Sequence, residues 1–541
     1  MPWIAGKPVL EICSLFFLSV TKYCCPTANL SQKYHMEKIL NIPPELYDYQ
    51  ARDIETIFEK IAAGPGSFPL LYQLPTGGGK TVVFSEIVRR FSTKSGKKSI
   101  VLTHRRELCS QTSRAIQKAG IKSSIIDSSV KIIRKSSAVQ CYVAMVETLH
   151  NRLEDNKMNT GEIGLVIIDE AHHNSFQKLL DKFENAIVIG VTATPLSSNA
   201  DFSMKKTYKE LVLGEDIQSL IKGGFLAKPK IWEYEVELQT LQTGTHGDFT
   251  ASTSDLLYSS KAMLDLLLSS YKEHSLGKKT LIFNNGILAS QKACAHFNDA
   301  GIAARHLDHH ATEPERREIL AWFKKTKGAV LTSVSLLTTG FDEPSVQTVV
   351  LNRATTSLTL YHQMVGRGSR RLPSKKTFTV IDLGNNSARF GKWNEPVDWN
   401  EAFSNPEAFC QNLSQPQDDR AHAMPSSMRA QFPNSLEIAF DITDEHKKAS
   451  DAGLKPQSVI RDSIRQHARM CVENAAGASE AIELSGSLEK EIAWRVREYA
   501  SCLGKTTKNY RDWLESDYKL RLRTLIQKIY GRQLAKTPIA S

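Results

Sequence analysis

Between residues 70 and 191 the chain carries short apolar runs at Leu70–Leu74, Ser99–Thr103, Cys141–Val146, Leu165–Ile168 and Ile187–Val191. Amphipathic stretches such as Thr81–Phe91 and Glu107–Ala119 lie between them. A strand that is apolar along its whole length must be covered on both faces. Strands of this kind separated by helices imply a parallel sheet sandwiched between helical layers. The pattern changes at Lys222-Gly223-Gly224-Phe225 and Lys228-Pro229-Lys230, which read as a hinge. A second series follows, with strands expected at Thr280–Phe283, Ile302–Leu307, Ala329–Thr332, Thr348–Leu351 and Thr377–Asp382. Thr312-Glu313-Pro314-Glu315 reads as a capping box opening a helix over Arg316–Lys324. The fold class is therefore α/β. Residues 37–226 and 227–390 form two α/β domains, and 391–541 form an accessory, mainly helical region. A chain of 541 residues has room for three such parts at roughly 100–200 residues per domain.

Residues 1–36 read as an N-terminal extension. Its apolar segment Val9–Val20 is interrupted by Glu11 and is far shorter than the roughly 20 residues a bilayer span needs. Met36 opens Met36-Glu37-Lys38-Ile39-Leu40, which looks like a natural beginning, so residues 1–35 are read as dispensable. No membrane partner is expected. The nine cysteines contain no CxxC pair, which argues against a zinc ribbon and fits reduced thiols and a cytoplasmic setting. Lys and Arg total 69 against 58 Asp and Glu, and the net charge of +11 favours an anionic partner such as nucleic acid.

Leu74-Pro75-Thr76-Gly77-Gly78-Gly79-Lys80-Thr81 follows an apolar strand and opens a helix, the setting a phosphate-binding loop requires. Consecutive glycines let backbone N–H groups converge on phosphate oxygens, and the helix N-terminus adds partial positive charge. Pro75, Thr76, Gly77, Gly78 and Gly79 would cradle ATP. Lys80 would reach its β- and γ-phosphates and Thr81 would hold Mg²⁺. Leu165–Ile168 runs directly into Asp169-Glu170-Ala171-His172. A buried parallel strand delivers its last residues to the carboxyl edge of the sheet, where the glycine loop also sits. Asp169 is then placed to bind Mg²⁺ through water, and Glu170 to orient and deprotonate an attacking water. His172-His173 lacks a third ligand at suitable spacing for a zinc site.

With these motifs in hand, the chain resembles a superfamily-two helicase of the DEAD/DEAH-box type, in the group of type III restriction subunits and excision-repair helicases. The resemblance covers roughly residues 41–390 in the family's motif order. It implies two tandem RecA-like parallel-sheet domains. Glu45–Gln50 is similar to the Q motif, which implies that Gln50 reads the adenine edge; the Arg usual earlier in that motif is Tyr47 here. Thr103–Leu108 resembles motif Ia, placing His104 and Arg105 on a nucleic-acid backbone, and Val143–Leu149 resembles motif Ib with Thr148. Thr192-Ala193-Thr194 matches motif III, and with His172 it implies coupling of ATP state to strand binding. Read by themselves, those hydroxyls only cap the turn after their strand. Ile282–Asn285 resembles motif IV. Leu331–Asp342 resembles motif V, implying Thr338 and Thr339 near phosphates and Gly340 and Asp342 near the nucleotide. Gln363–Arg370 matches QxxGRxxR, implying catalytic roles for Gln363, Arg367 and Arg370. The two arginines, three residues apart, are expected on one helical turn as fingers on the γ-phosphate.

The implied activity is an ATP- and Mg²⁺-dependent helicase or translocase, on DNA rather than RNA. The alternatives are a duplex remodeller without unwinding and an ATP-gated clamp with little turnover. Past the two α/β domains, Leu413–Pro433 reads as a linker or mobile loop, and helices are expected at Leu488–Leu503 and Tyr510–Tyr530. Nine basic residues between Lys505 and Ser541 are interleaved with Tyr510, Trp513, Tyr518 and Tyr530. That mixture suits single-stranded nucleic acid, although aromatics at such spacing more often form a helix core. Glu445-His446-Lys447 has no upstream partner that would make it a nuclease site.

Overall fold

The computed structural model describes residues 46–64, 69–130, 138–155, 158–197, 203–244, 247–334, 337, 341–414, 426–429, 431–435, 438, 440–504 and 506–534. The N-terminal extension and the motif V residues Thr338, Thr339 and Gly340 lie outside them. The described part divides into two compact units, one ending at Glu407 and the other beginning at Ala408.

The first unit holds two sheets. One contains β1 (Leu70–Gln73), β2 (Lys98–Thr103), β3 (Ser123–Ile126), β4 (Cys141–Met145), β5 (Ile163–Asp169), β6 (Ile187–Thr192) and β7 (Glu210–Leu213) in the order β3-β4-β2-β5-β6-β1-β7. The other contains β8 (Lys228–Glu233), β9 (Thr280–Asn284), β10 (Ala304–Leu307), β11 (Val330–Val334), β12 (Thr348–Asn352) and β13 (Thr377–Asp382) in the order β10-β11-β9-β12-β13-β8. All the pairings between these strands are parallel. Two tandem RecA-like sheets are thus what the apolar runs build. Successive residues of a strand point to opposite faces, and every residue of β1, β5 and β6 is buried, so both faces of the first sheet are covered there.

Three strands go beyond the sequence reading, and each lies at a sheet edge: β3 and β7 on the first sheet, β8 on the second. Lys228-Pro229-Lys230, read as a hinge, is the start of β8 and pairs with Thr377–Thr379 of β13. Proline is tolerated because an edge strand leaves one row of backbone groups unpaired. Strand order also sets up the site. β6 lies between β1 and β5, so the C-terminal ends of three neighbouring strands bring together the glycine loop, Thr192 and Asp169. The helix Trp399–Ser404 packs with this unit, its Phe403 joining the apolar core of the first sheet.

The second unit is helical, with Ile442–Asp451, Gln457–Glu473, Ala478–Ser487, Glu489–Cys502 and Lys508–Leu534 around one apolar core. Met428 and Phe432, within the stretch expected to be a linker, are buried in that core. Residues 415–425 of the same stretch lie outside the described residues. Arg495 is fully buried among Glu491 at 2.9 Å, Ser463 at 3.0 Å and Gln466 at 2.8 Å. Among the described residues, no helix is long and apolar enough to cross a membrane.

Candidate functional site

The glycine loop is shaped by backbone conformation. Gly77 and Gly79 have φ of 91° and 88°, left-handed values that a side chain disfavours. Gly79 caps the helix Lys80–Ser95, and the Leu74 N–H donates to Thr192 O at 3.0 Å, fixing the loop to β6. Lys80 Nζ donates to Leu74 O at 3.2 Å, folded back over its own loop. Burial holds Lys80 below the ordinary lysine value, with the charges of Glu170 and Asp169 opposing.

Those carboxylates leave the end of β5. Asp169 is pushed up to about 7, first by burial and then by the Glu170 charge, with Lys80 pulling the other way. For Glu170, burial raises the value, but the Lys80 and Arg367 cations outweigh it and the group is held low. The backbone of Glu170 is left-handed, at φ 53°, which turns its side chain out of the strand direction. Its Oε2 is buried with no hydrogen-bond partner. A glycine nest, a half-buried ammonium and a carboxylate oxygen without a hydrogen bond, 3.5 Å from His172 Nδ1, form a donor set that fits a nucleoside triphosphate with a divalent cation. Lys80, Thr81, Asp169 and Glu170 are the residues that would hold them.

The second sheet meets this loop directly. A Cβ built on Gly366 would lie 2.7 Å from Thr76 Cβ. One built on Gly77 would lie 2.8 Å from Leu226, 3.0 Å from Ser369 Oγ and 3.7 Å from Arg370 Cδ. Ser369 Oγ also donates to Thr76 O at 3.4 Å. The two arginines do not share a helical turn as expected. The helix Leu358–Gly366 stops with Arg367 as its C-cap, and Arg370 lies beyond it in an antiparallel bridge to Leu226. The tight turn over Gly366–Ser369, closed by Ser369 N–H to Gly366 O at 3.3 Å, accounts for the break. Arg367 Nη1 donates to Phe341 O at 2.7 Å, and burial, then Arg370, lowers it to about 10. Arg370 pairs with Asp342 at 3.2 Å.

A hydrogen-bonded chain crosses from one sheet to the other. The Gln363 amide donates to His172 Nε2 at 3.0 Å, and His172 Nδ1 lies 3.0 Å from Thr192 Oγ1. Thr192 Oγ1 donates to Thr194 O at 2.9 Å, so it accepts from His172, which is then the Nδ1–H tautomer. Burial lowers His172 to about 3 and keeps it neutral. Thr192 therefore does more than close a turn. Thr194 Oγ1 is buried with no hydrogen-bond partner.

Other expected residues sit differently. Gln50 is buried, its Oε1 accepting from Tyr47 N–H at 3.1 Å and its amide donating to Gly78 O at 3.2 Å. Reading an adenine edge would require exchanging one of these bonds. His104 is tied to the carboxylate loop, with Nε2 3.3 Å from Glu170 O and Nδ1 2.9 Å from Ser175 Oγ, and its ring meets His173. Burial lowers it to about 4. Arg105 is half-buried, its value lowered by burial. Thr148 is half-buried on the helix Val146–Glu154. The sequence reading missed Tyr49, whose hydroxyl donates to Gly78 O at 2.8 Å, and the pairing of Glu107 with Arg316 of the other domain at 2.6 Å. Tyr49 stood beside Gln50 in the motif. Nothing in one sequence could have paired residues so far apart.

Residues 43–197 match the type III restriction enzyme res subunit family, and residues 259–371 match the helicase conserved C-terminal domain. The chain is 30% identical to the putative ATP-dependent helicase IRC3 of Saccharomyces cerevisiae, over 63% of this chain and 51% of that protein. It is 29% identical to a 51.5 kDa protein of a Lactococcus phage, over 62% of this chain and 69% of that one. It is 24% identical to a type I restriction enzyme EcoAI endonuclease subunit of Escherichia coli, over 62% and 45% respectively. The chain spans about half the length of the yeast relative it matches. A fragment of a putative HsdR subunit of a type I restriction enzyme from Vibrio vulnificus YJ016 shares the fold, with a TM-score of 0.50 at 21% identity, over 68% of this chain and 67% of that one.

Proposed function

We propose that this chain, which matches the type III restriction res subunit family over residues 43–197 and the helicase C-terminal domain over 259–371, is a superfamily-two ATP-driven motor that steps along DNA. The observation that carries the reading is the contact between the glycine loop and the Gly366–Arg370 turn, which brings groups from both sheets to one place. Bound ATP with Mg²⁺ supplies the transferable phosphoryl group and the metal charge beside it. Lys80 and the loop N–H groups would hold phosphate, and Thr81 and Asp169 would hold the metal. Glu170, kept ionised by the surrounding cations, accepts a proton from water. Arg367 and Arg370 exchange Phe341 O and Asp342 for phosphate charge as the domains close. Gln363 and His172 report that closure to Thr192 and Thr194. Motif Ia, motif Ib and motif V residues, with the basic excess of the chain, meet the nucleic-acid backbone. DNA is favoured over RNA because the restriction subunits among its relatives carry that association.

The deciding experiment is phosphate release with single-stranded DNA, duplex DNA and RNA side by side. Stimulation by DNA above RNA is expected, and equal rates without nucleic acid would overturn the motor reading. Strand displacement measured beside triplex displacement then separates unwinding from translocation.

A further inference from the structure

The second unit carries a groove of about 490 Å³ between the helices Gln457–Glu473 and Lys508–Leu534. Its floor is apolar, with Ile460 and Leu514 buried. Its rim is aromatic and cationic. Trp513 is 56% exposed and Tyr510 36% exposed, although the same helix buries Tyr518 completely. The two exposed rings stand three residues apart on one helix face, with centroids 5.8 Å apart and planes tilted by 32°. Arg461, Arg465, Arg521 and Lys528 line the groove against a single acid, Asp517. Arg465 pairs with Asp462 in an exposed ion pair that a phosphate can replace at small cost, and Arg521, itself exposed, pairs with the half-buried Asp517, each at 2.7 Å. From Tyr510 to Lys528 the rim runs for roughly 27 Å at a 1.5 Å rise per residue.

We propose that this groove binds single-stranded nucleic acid, with bases stacked on Trp513 and Tyr510 and phosphates held by Arg461, Arg521 and Lys528. Charge complementarity selects a polyanion, since the lining carries four cations and one acid. Exposed flat rings on an apolar floor select unpaired bases over a duplex, whose base faces are already stacked. Ring spacing of this kind accepts any base, so the groove is indifferent to sequence. The inference rests on the motor reading for its biological sense, and it gives the motor a hold on one strand separate from the two sheets.

The test uses the full chain and a fluorescein-labelled oligothymidylate of about 20 nucleotides, followed by anisotropy over a salt series. Trp513→Ala is expected to weaken binding about tenfold, whereas Trp513→Phe, which keeps a stacking face, retains most of it. The double change Arg461→Gln with Lys528→Gln is expected to flatten the salt slope by about 0.7 for each phosphate that is no longer neutralised. These side chains are exposed, so the fold survives, and ATPase activity without nucleic acid is expected to stay at the parent rate. Unchanged affinity and slope in all variants would overturn the groove proposal and leave the motor reading standing, with a protein partner as the groove's occupant. Failure of the parent chain to bind or respond to any nucleic acid would instead remove the motor reading.

Discussion

The two sheets contribute to the site in different ways. The first sheet presents Lys80, Asp169 and Glu170 from strand ends and a loop tied to the parallel ladder, with Asp169 buried and Lys80 and Glu170 half-buried. The second presents Gln363, Arg367 and Arg370 from a helix end and a turn, held by a carbonyl, a neighbouring carboxylate and one hydrogen bond to His172. On the proposed motor reading the first half stays in place and the second comes and goes, even though Gln363 and Arg367 are buried here. Chemistry that must be gated by domain closure needs that asymmetry, because a site rigid on both sides would have no open state.

Five substitutions would sharpen or break this contrast, beginning with the largest. Lys80→Ala or Glu170→Gln is expected to abolish nucleic-acid-stimulated phosphate release while leaving the thermal midpoint near that of the parent; normal turnover in either would remove the first half from the chemistry. Arg367→Ala is expected to slow turnover by about 10³-fold or more, with nucleotide affinity much less affected. Equilibrium binding of a labelled ATP analogue beside kcat separates those two quantities. Gln363→Ala removes the bond to His172 Nε2 and leaves that nitrogen buried without a donor. A loss of about 1–3 kcal/mol from the closed arrangement follows, read as a drop of roughly tenfold in stimulated kcat with basal hydrolysis less changed. Glu107→Gln breaks the pair with Arg316 across the cleft, and its effect is expected below about 1 kcal/mol. It should show as a small gain in nucleic-acid affinity at low salt that vanishes at high salt.

Most of the interior of the fold was legible in the sequence, because an uninterrupted apolar run has few structures open to it. Leu165–Ile168 is buried at the centre of its sheet, and Thr377–Asp382 matches β13 residue for residue. The edges were not legible. Ser123–Ile126 and Glu210–Leu213 are partly solvated and mix polar with apolar residues, and Lys228–Glu233 contains a proline. Of the site, the glycine loop and the Asp169-Glu170 pair carry strong local signals. The tight turn that separates Arg367 from Arg370 does not, since a spacing of three is compatible with a helix and with a turn. The tail shows the same limit. Tyr518 and Trp513 looked alike as aromatics in a basic helix, yet one is core and the other surface, a distinction set by what the neighbouring helix covers.

The left-handed backbone at Glu170 has a consequence for anyone selecting sturdier versions of this protein. An L-residue with a long side chain at φ 53° carries a conformational penalty of about 1–2 kcal/mol that glycine escapes. Glu170→Gly relieves that penalty but gives back about 0.5–1 kcal/mol in unfolded-chain freedom and removes a carboxylate facing Lys80, so it should melt near the parent while turning over no ATP, and a screen for heat resistance alone would pass an inert variant.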